Sequence, residues 1–181
     1  MFVSVFVPFA NEENNLAELI ERIEKGGIAA GVDLELVMVD DGSKDNSYDI
    51  VMKEAQSRQW IKVFRHQRNK GLTEAMITGF RQCKGEIIIF LPSDLESHPD
   101  EDIPALLNGF EPGVDIVCGN RKKRREIKIF LSMLYNQISN FLFGIKLNDM
   151  NWIKAFRREC LNDLELRSDW HRFLVQILHE K

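Results

Sequence analysis

Short apolar runs at 2–7, 34–39, 61–64, 87–91 and 116–118 punctuate the chain. They barely alternate with polar residues, the pattern of strands buried on both faces of a sheet. Between them, apolar residues recur at helical spacing. Leu16, Ile20 and Ile23 fall at i, i+4, i+7, and Ile103, Leu106, Leu107 and Phe110 at i, i+3, i+4, i+7. Segments 45–57 and 71–83 also read as helices. This alternation predicts an α/β fold, a mostly parallel sheet with helices on both faces. Ligands in such sheets bind beyond the carboxyl ends of the strands, so the polar residues after each strand are the ones to inspect. Past position 120 the texture changes. Ile127, Phe130, Leu134, Ile138 and Phe141 predict a long amphipathic helix ended by Gly144. Trp170, Phe173, Leu174, Ile177 and Leu178 predict another apolar stripe. No repeat or Pro/Ser-rich linker intervenes, so the expectation is one domain, 1–181, in two directly packed halves, 1–120 and 121–181.

The 181 residues, 44% hydrophobic and 29% charged, exclude collagen, coiled coil, wholesale disorder and a disulfide-stapled miniprotein. Cys83, Cys118 and Cys160 are far apart, form no CxxC and have no His at ligand spacing, which favours a reduced compartment. The start, Met-Phe-Val-Ser-Val-Phe-Val-Pro, carries no basic leader and does not read as a signal peptide. No run approaches the roughly 18 apolar residues of a membrane span. The net charge of −4 is unevenly shared. Residues 1–120 hold 11 Lys/Arg against 21 Asp/Glu, and residues 121–181 hold 13 against 7. Either like charges cluster on solvated faces, or the two halves face different partners, with an anion or a membrane surface on the basic side.

Each strand end carries polar residues with two readings. Asn11, Glu12, Glu13 and Asn14 follow the first run, where a ligand or an ordinary helix cap would use them. Asp40 and Asp41 follow the second. Adjacent carboxylates repel, so a nucleobase N–H or a cation should compensate them; a plain Asp-Gly turn is the alternative. After the third, Arg68, Lys70 and Gly71 precede a helix, whose free N–H groups can bind an anion. A solvated basic loop fits as well, and His66 reads as a surface loop residue. Asp94 and Glu96 follow the fourth run at i, i+2 and suit Mg²⁺ or Mn²⁺ held jointly with substrate phosphates; helix-capping acids are the alternative. The fifth run leads into five consecutive cations, Arg121 to Arg125. Lys128 and Ser132 share a helix face, and a phosphate could lie between them and Arg121. A nucleic-acid patch is disfavoured, because the chain is acidic and no aromatic residues interleave the cluster.

The order of these elements is more specific than any one of them. Val-Pro-Phe-Ala-Asn-Glu-Glu, Val-Asp-Asp-Gly-Ser-Lys-Asp, Asn-Lys-Gly-Leu, Ser-Asp-Leu-Glu and Gly-Asn-Arg in succession resemble family-2 glycosyltransferases of the GT-A fold. Segments 148–159 and 169–174 extend the likeness to the polyprenyl-phosphate branch, such as dolichol-phosphate mannose synthases and undecaprenyl-phosphate sugar transferases. The resemblance implies a GT-A, Rossmann-like sheet with a helical acceptor-side segment. It implies that Pro8, Phe9, Glu12, Lys70 and Gly71 line the nucleotide pocket, that Asp41 contacts the base, and that Asp94 and Glu96 hold Mg²⁺ or Mn²⁺. Arg121, Lys128 and Ser132 would grip the acceptor phosphate, with Asp94 and Arg121 the catalytic pair and Asp149 and Lys154 closing the acceptor side. Two departures stand out. Pro92 replaces the first acid of the family's Asp-x-Asp element, and Glu96 is the compensating candidate. The family's catalytic domain usually runs further, so this chain reads as C-terminally truncated.

The expected reaction is inverting transfer of a sugar from a UDP- or GDP-sugar to a polyprenyl phosphate, on a chain peripheral to the inner, cytoplasmic face of the membrane. A phosphate acceptor is already ionised near neutral pH and needs no strong base; a hydroxyl acceptor would need one, with Asp169 the candidate and an N-cap its other reading. The rivals are transfer to a hydroxyl in polysaccharide synthesis and a nucleotide-binding module without catalysis. The absence of GxGxxG after the first strand and of a Walker A motif disfavours a dehydrogenase or P-loop enzyme.

Overall fold

The computed structural model describes residues 1–119 and 153–162. They form strands β1 (Phe2–Phe9), β2 (Asp33–Asp40), β3 (Ile61–Arg65), β4 (Ile87–Phe90), β5 (Ile116–Cys118) and β6 (Lys154–Arg157). Helices α1 (Leu16–Ala30), α2 (Ser47–Ser57), α3 (Leu72–Phe80) and α4 (Pro99–Asn108) connect them, and a 3₁₀ turn follows at Arg158–Leu161. The sheet order is β3-β2-β1-β4-β6-β5. The first four strands are parallel, while β6 runs antiparallel to both β4 and β5.

The unalternated strands are explained by cover on both faces. Val3, Val5, Val7, Leu36, Met38 and Ile89 point into one core with Leu16, Leu19, Ile20, Ile23, Val51 and Ile103, from α1, α2 and α4. Phe6, Val37, Val39, Ile88 and Phe156 point into the other with Ala75, Met76 and Phe80 of α3. Rings of Phe6 and Phe80 meet edge-on at 5.1 Å, and those of Phe80 and Phe156 at 5.5 Å, a geometry aromatic pairs favour. Helices α1 and α4 pack closely because Gly26 has no side chain. A Cβ there would lie 2.4 Å from the Pro99 carbonyl oxygen.

The five strands and the four helices predicted before position 120 are all present, with shifted ends. Helix α2 starts at Ser47 rather than 45, and α3 ends at Phe80, where Cys83 N–H donates to the Gly79 carbonyl. Strand β6 is an addition that the sequence pattern does not predict. Residues 154–157 fill the sheet between β4 and β5, and Lys154, expected with Asp149 to close the acceptor side, is 4% exposed there. The described part of the second half therefore shares its sheet with the first. The helices expected at 127–143 and 170–178 lie outside the described residues.

The chain steps outward from β1 to β2 to β3, then returns to place β4 on the other side of β1. That reversal is the topological switch point of an open α/β sheet, where a crevice forms at the carboxyl ends. The β1–β4 register ends at Phe6↔Phe90, with Leu91 N–H donating to the Phe6 carbonyl at 3.0 Å. Two residues on, Pro8 faces the same side. It lies beyond the last β4 pair, so its missing N–H costs no ladder bond. β1 continues alongside β2 to Phe9↔Asp40, and the crevice opens between the two directions.

Candidate active site

Pro8 and Phe9 end β1 and are both buried; Phe9 is 3% exposed and belongs to the core shared with α1, α2 and α4. Beyond them the loops after β1 and β2 are laced together. Asn11 N–H donates to Ser43 Oγ at 3.0 Å, and Lys44 N–H returns a bond to Asn11 Oδ1 at 2.8 Å. Asn11 adopts φ 58° to do so, a conformation Asn tolerates better than most residues. Glu12 N–H donates to Ser47 Oγ at 2.7 Å, and Glu13 N–H to Asp45 Oδ2 at 3.3 Å. Burial pushes the Asp45 carboxyl up, but hydrogen bonds from Ser47 and Glu13 outweigh it and hold Asp45 below the usual carboxylate range. The Glu12 carboxylate accepts from Asn15 Nδ2 at 2.7 Å. The predicted helix-cap residues thus tie one loop to the other.

The Asp40–Asp41 pair is compensated from within the protein. Asp40 is fully buried. Its Oδ1 accepts from Ser43 N–H at 2.8 Å, and Arg65 Nε lies 2.9 Å from its Oδ2. Arg65 in turn stacks 4.3 Å from the Tyr48 ring centroid. Asp41 Oδ1 accepts from His66 Nδ1 at 2.7 Å and from Lys70 N–H at 2.9 Å, and its Oδ2 accepts from Gly71 N–H at 2.8 Å. Gly42 lets this happen. It has φ 75°, and a Cβ there would lie 2.5 Å from the Arg68 carbonyl carbon, so the turn after β2 presses on the very loop that Asp41 holds.

The loop before α3 is tied to Asp41 through the Lys70 and Gly71 N–H groups. One expectation changes here: His66, read as a surface residue, is 7% exposed and lies between Asp41 and Thr78, whose Oγ1 is 2.9 Å from Nε2. A signal for His66 was present: two adjacent acids ending one strand, and an imidazole directly after the neighbouring strand.

Across the crevice, Asp94 and Glu96 are exposed in the loop after β4. Glu96 N–H donates to Asp94 Oδ1 at 3.0 Å, and Leu95 between them has φ 56°. The turn keeps both carboxylates at the solvent side of the loop, while Pro92 offers no ligand. Among the described residues no cluster of three or more His, Cys, Asp or Glu is poised for a metal. Two hard oxygen donors without an all-protein cage fit Mg²⁺ or Mn²⁺, which keep waters and share substrate phosphates. His98 is not with them; its Nδ1 is 2.9 Å from Arg22 Nη1. The structure thus brings Pro8, Phe9, Glu12, Asp41, Lys70, Gly71, Asp94 and Glu96 to one end of the sheet. Arg121, Lys128, Ser132, Asp149 and Asp169 lie outside the described residues.

The chain belongs to glycosyl transferase family 2, whose family model matches residues 4–164. It is 33% identical to a dolichol-phosphate mannosyltransferase of Pyrococcus furiosus, over 98% of this chain and 52% of that protein. It is 35% identical to an undecaprenyl-phosphate 4-deoxy-4-formamido-L-arabinose transferase of Pseudomonas syringae, over 89% of this chain and 49% of that one. The chain spans about half the length of these relatives. Its fold is GT-A. It superposes with a TM-score of 0.75 on glucosyl-3-phosphoglycerate synthase from Mycobacterium tuberculosis in complex with Mn²⁺, UDP-glucose and phosphoglyceric acid, at 21% identity and covering 96% of this chain and 63% of that one.

Proposed function

We propose that the chain carries the donor site of an inverting glycosyltransferase that moves a sugar from a nucleotide-sugar to a polyprenyl phosphate. The observation that carries this is the convergence, in a family-2 chain, of the laced loops after β1 and β2 with Asp94 and Glu96 at the switch-point crevice. The nucleotide lies on Pro8 and Phe9, beside Glu12, Lys70 and Gly71, with its base at Asp41. Its diphosphate points across the crevice toward Asp94. The sugar C1–O bond to the diphosphate breaks as a bond from an acceptor phosphate oxygen to C1 forms on the opposite face, and the nucleoside diphosphate leaves. A divalent cation, when bound by Asp94 and Glu96, neutralises charge growing on that leaving group. The acceptor oxygen is already ionised, so no buried base is required. Arg121, Lys128 and Ser132 hold that phosphate in line, where positioning contributes several kcal/mol, on the order of 7 or more in favourable cases. The acceptor's lipid tail brings the protein to the inner membrane face, through the basic run after position 120 and the amphipathic stretch 127–143. No helix among the described residues is long and apolar enough to cross a membrane.

Calorimetry of UDP and GDP with and without Mn²⁺, on the wild type and on Asp94→Ala, tests the donor site. One nucleotide should bind, more tightly with metal, and Asp94→Ala should abolish the metal dependence. Transfer to undecaprenyl phosphate, followed as label entering the lipid fraction, tests the acceptor. A second reading rests on Pro92, which removes one expected ligand: a nucleotide-binding module without catalysis. Metal-dependent nucleotide binding with no transfer to lipid phosphate or hydroxyl acceptors would favour it.

A further inference from the structure

The base pocket holds a histidine that the proposed reaction does not use, and its position limits which base Asp41 can read. An ionised carboxylate offers about four acceptor positions, two on each oxygen, and donates nothing. On Asp41, Oδ1 is fully engaged by His66 Nδ1 at 2.7 Å and Lys70 N–H at 2.9 Å. Oδ2 holds Gly71 N–H at 2.8 Å, which leaves one acceptor position, on Oδ2. Because the carboxylate can only accept, Nδ1 must carry the proton whatever Nε2 does. The ring is held from its other side by Thr78 Oγ1 at 2.9 Å and is 7% exposed. It cannot leave Asp41 without breaking both contacts.

We infer that His66 makes Asp41 a reader of a single N–H and so biases the donor pocket toward a uracil nucleotide over a guanine one. The inference rests on the donor-site reading above. Uracil presents one imide N–H between two carbonyl groups, which one acceptor on Oδ2 satisfies. Guanine presents N1–H and its exocyclic amine side by side, a pair that matches both oxygens of a free carboxylate. With Oδ1 filled, one of those donors finds no partner on Asp41. Asp41 is only 5% exposed, so a donor aimed at it that finds no acceptor has little water there to take its place, and an unmet donor is costly. His66 is on this account a positioning residue. It touches neither the base nor the reacting atoms.

The test is the ratio of UDP to GDP affinity, measured by calorimetry with Mn²⁺ on the wild type, His66→Leu, His66→Gln and Thr78→Val. The wild type should prefer UDP by at least tenfold. His66→Leu frees one position on Oδ1 and should shrink that ratio several-fold, chiefly by strengthening GDP. His66→Gln, which can still donate an amide N–H to Asp41, should retain more of the ratio, as should Thr78→Val, which leaves the His66–Asp41 bond in place. Circular dichroism and Tm identify any variant that fails to fold, and the wild-type ratio then decides with the variants that do fold. Equal affinities or a GDP preference in the wild type overturn the inference and leave the donor site standing. So does an unchanged ratio in folded His66→Leu. Binding of neither nucleotide overturns the donor-site reading and this inference with it.

Discussion

The two ends of the sheet bury carboxylates in similar ways and to different effect. At the amino end, Glu35 is 3% exposed and pairs across the strands with Ser4. Its Oε1 accepts from Ser4 Oγ and Lys84 N–H, both at 2.6 Å, and its Oε2 meets the Lys62 ammonium. Ser4 Oγ also takes Gly85 N–H at 2.7 Å, which anchors the turn entering β4. One carboxylate meets one ammonium, so the charge is closed. Burial alone would raise the Glu35 carboxyl, but Lys62, Ser4 and Lys84 outweigh it and hold it below its usual range. At the carboxyl end two buried acids, Asp40 and Asp41, meet one guanidinium and one imidazole, and Asp94 and Glu96 add further negative charge across the crevice. The first cluster joins side chains of three neighbouring strands to the turn entering β4, and its charge is closed. The second spans the ends of β2 and β3 and the loops beyond them, has an acceptor position left on Asp41, and suits a ligand bearing an N–H and a cation. Buried polar networks can therefore be separated by their unfilled positions rather than by their burial.

The largest expected effect would show that the amino-end cluster is structural. Glu35→Ala strands Lys62, Ser4 Oγ and the Lys84 N–H, and should cost about 3 kcal/mol of stability. Denaturant unfolding measures it, and nucleotide affinity of the folded fraction should be unchanged. The mirror experiment is Asp94→Ala. Sugar transfer should fall roughly 100-fold, about 2.7 kcal/mol on the barrier, while Tm stays within a degree or two because the side chain is exposed. A large loss of Tm in Asp94→Ala would break the comparison. Gly42→Ala tests the link between the two loops at the carboxyl end. It forces φ 75° on a residue with a Cβ and drives that Cβ into the Arg68–Asn69 backbone. A cost of about 1–3 kcal/mol and a tenfold or greater loss of nucleotide affinity should appear together.

Smaller effects sharpen the same contrast. Pro92→Asp restores a carboxylate on the metal side and should tighten Mn²⁺-dependent nucleotide binding about tenfold, roughly 1.4 kcal/mol. Acid should expose the amino-end cluster. The Glu35 carboxyl is depressed in the folded state, so on acidification the unfolded chain takes up that proton first. Its contribution is present above the ordinary Glu range and is lost as pH falls through the lower folded value. Glu35→Gln should flatten that part of the stability–pH profile. Last, burial and then the nearby Glu35 charge push the Cys83 thiol up to about 12. In the native protein, maleimide should label Cys83 far more slowly than in the unfolded chain.

Much of the fold was legible because its signals are local. A strand buried on both faces is a continuous apolar run, and an amphipathic helix repeats with the period of its own backbone, so β1 to β5 and α1 to α4 could be read without knowing their neighbours. The glycosyltransferase motifs were legible for the same reason. Their order along the chain is the order in which strand ends deliver residues to one crevice. Strand β6 was not legible. Lys154–Arg157 is four residues with a cation at each end, too short and too charged to show a period, and it is a strand because β4 and β5 leave a gap it fills. His66 was misread for a related reason. Nothing close to it along the chain marks a buried imidazole; its one signal is the pair of acids that ends β2, and that points to His66 only once β2 and β3 are known to be neighbours. It is buried because β2 and β3 end side by side, which puts it against an acid 25 residues away. The same acid also holds the Lys70 and Gly71 N–H groups, about thirty residues further along the chain. What the sequence determined by itself was the element pattern, the family and the end of the sheet at which the candidate site residues gather, because each depends on residues close together in the chain. Which hydrogen-bonding positions at that end are already filled was decided by the tertiary structure alone, because a donor and its acceptor meet only where separate strands are brought side by side.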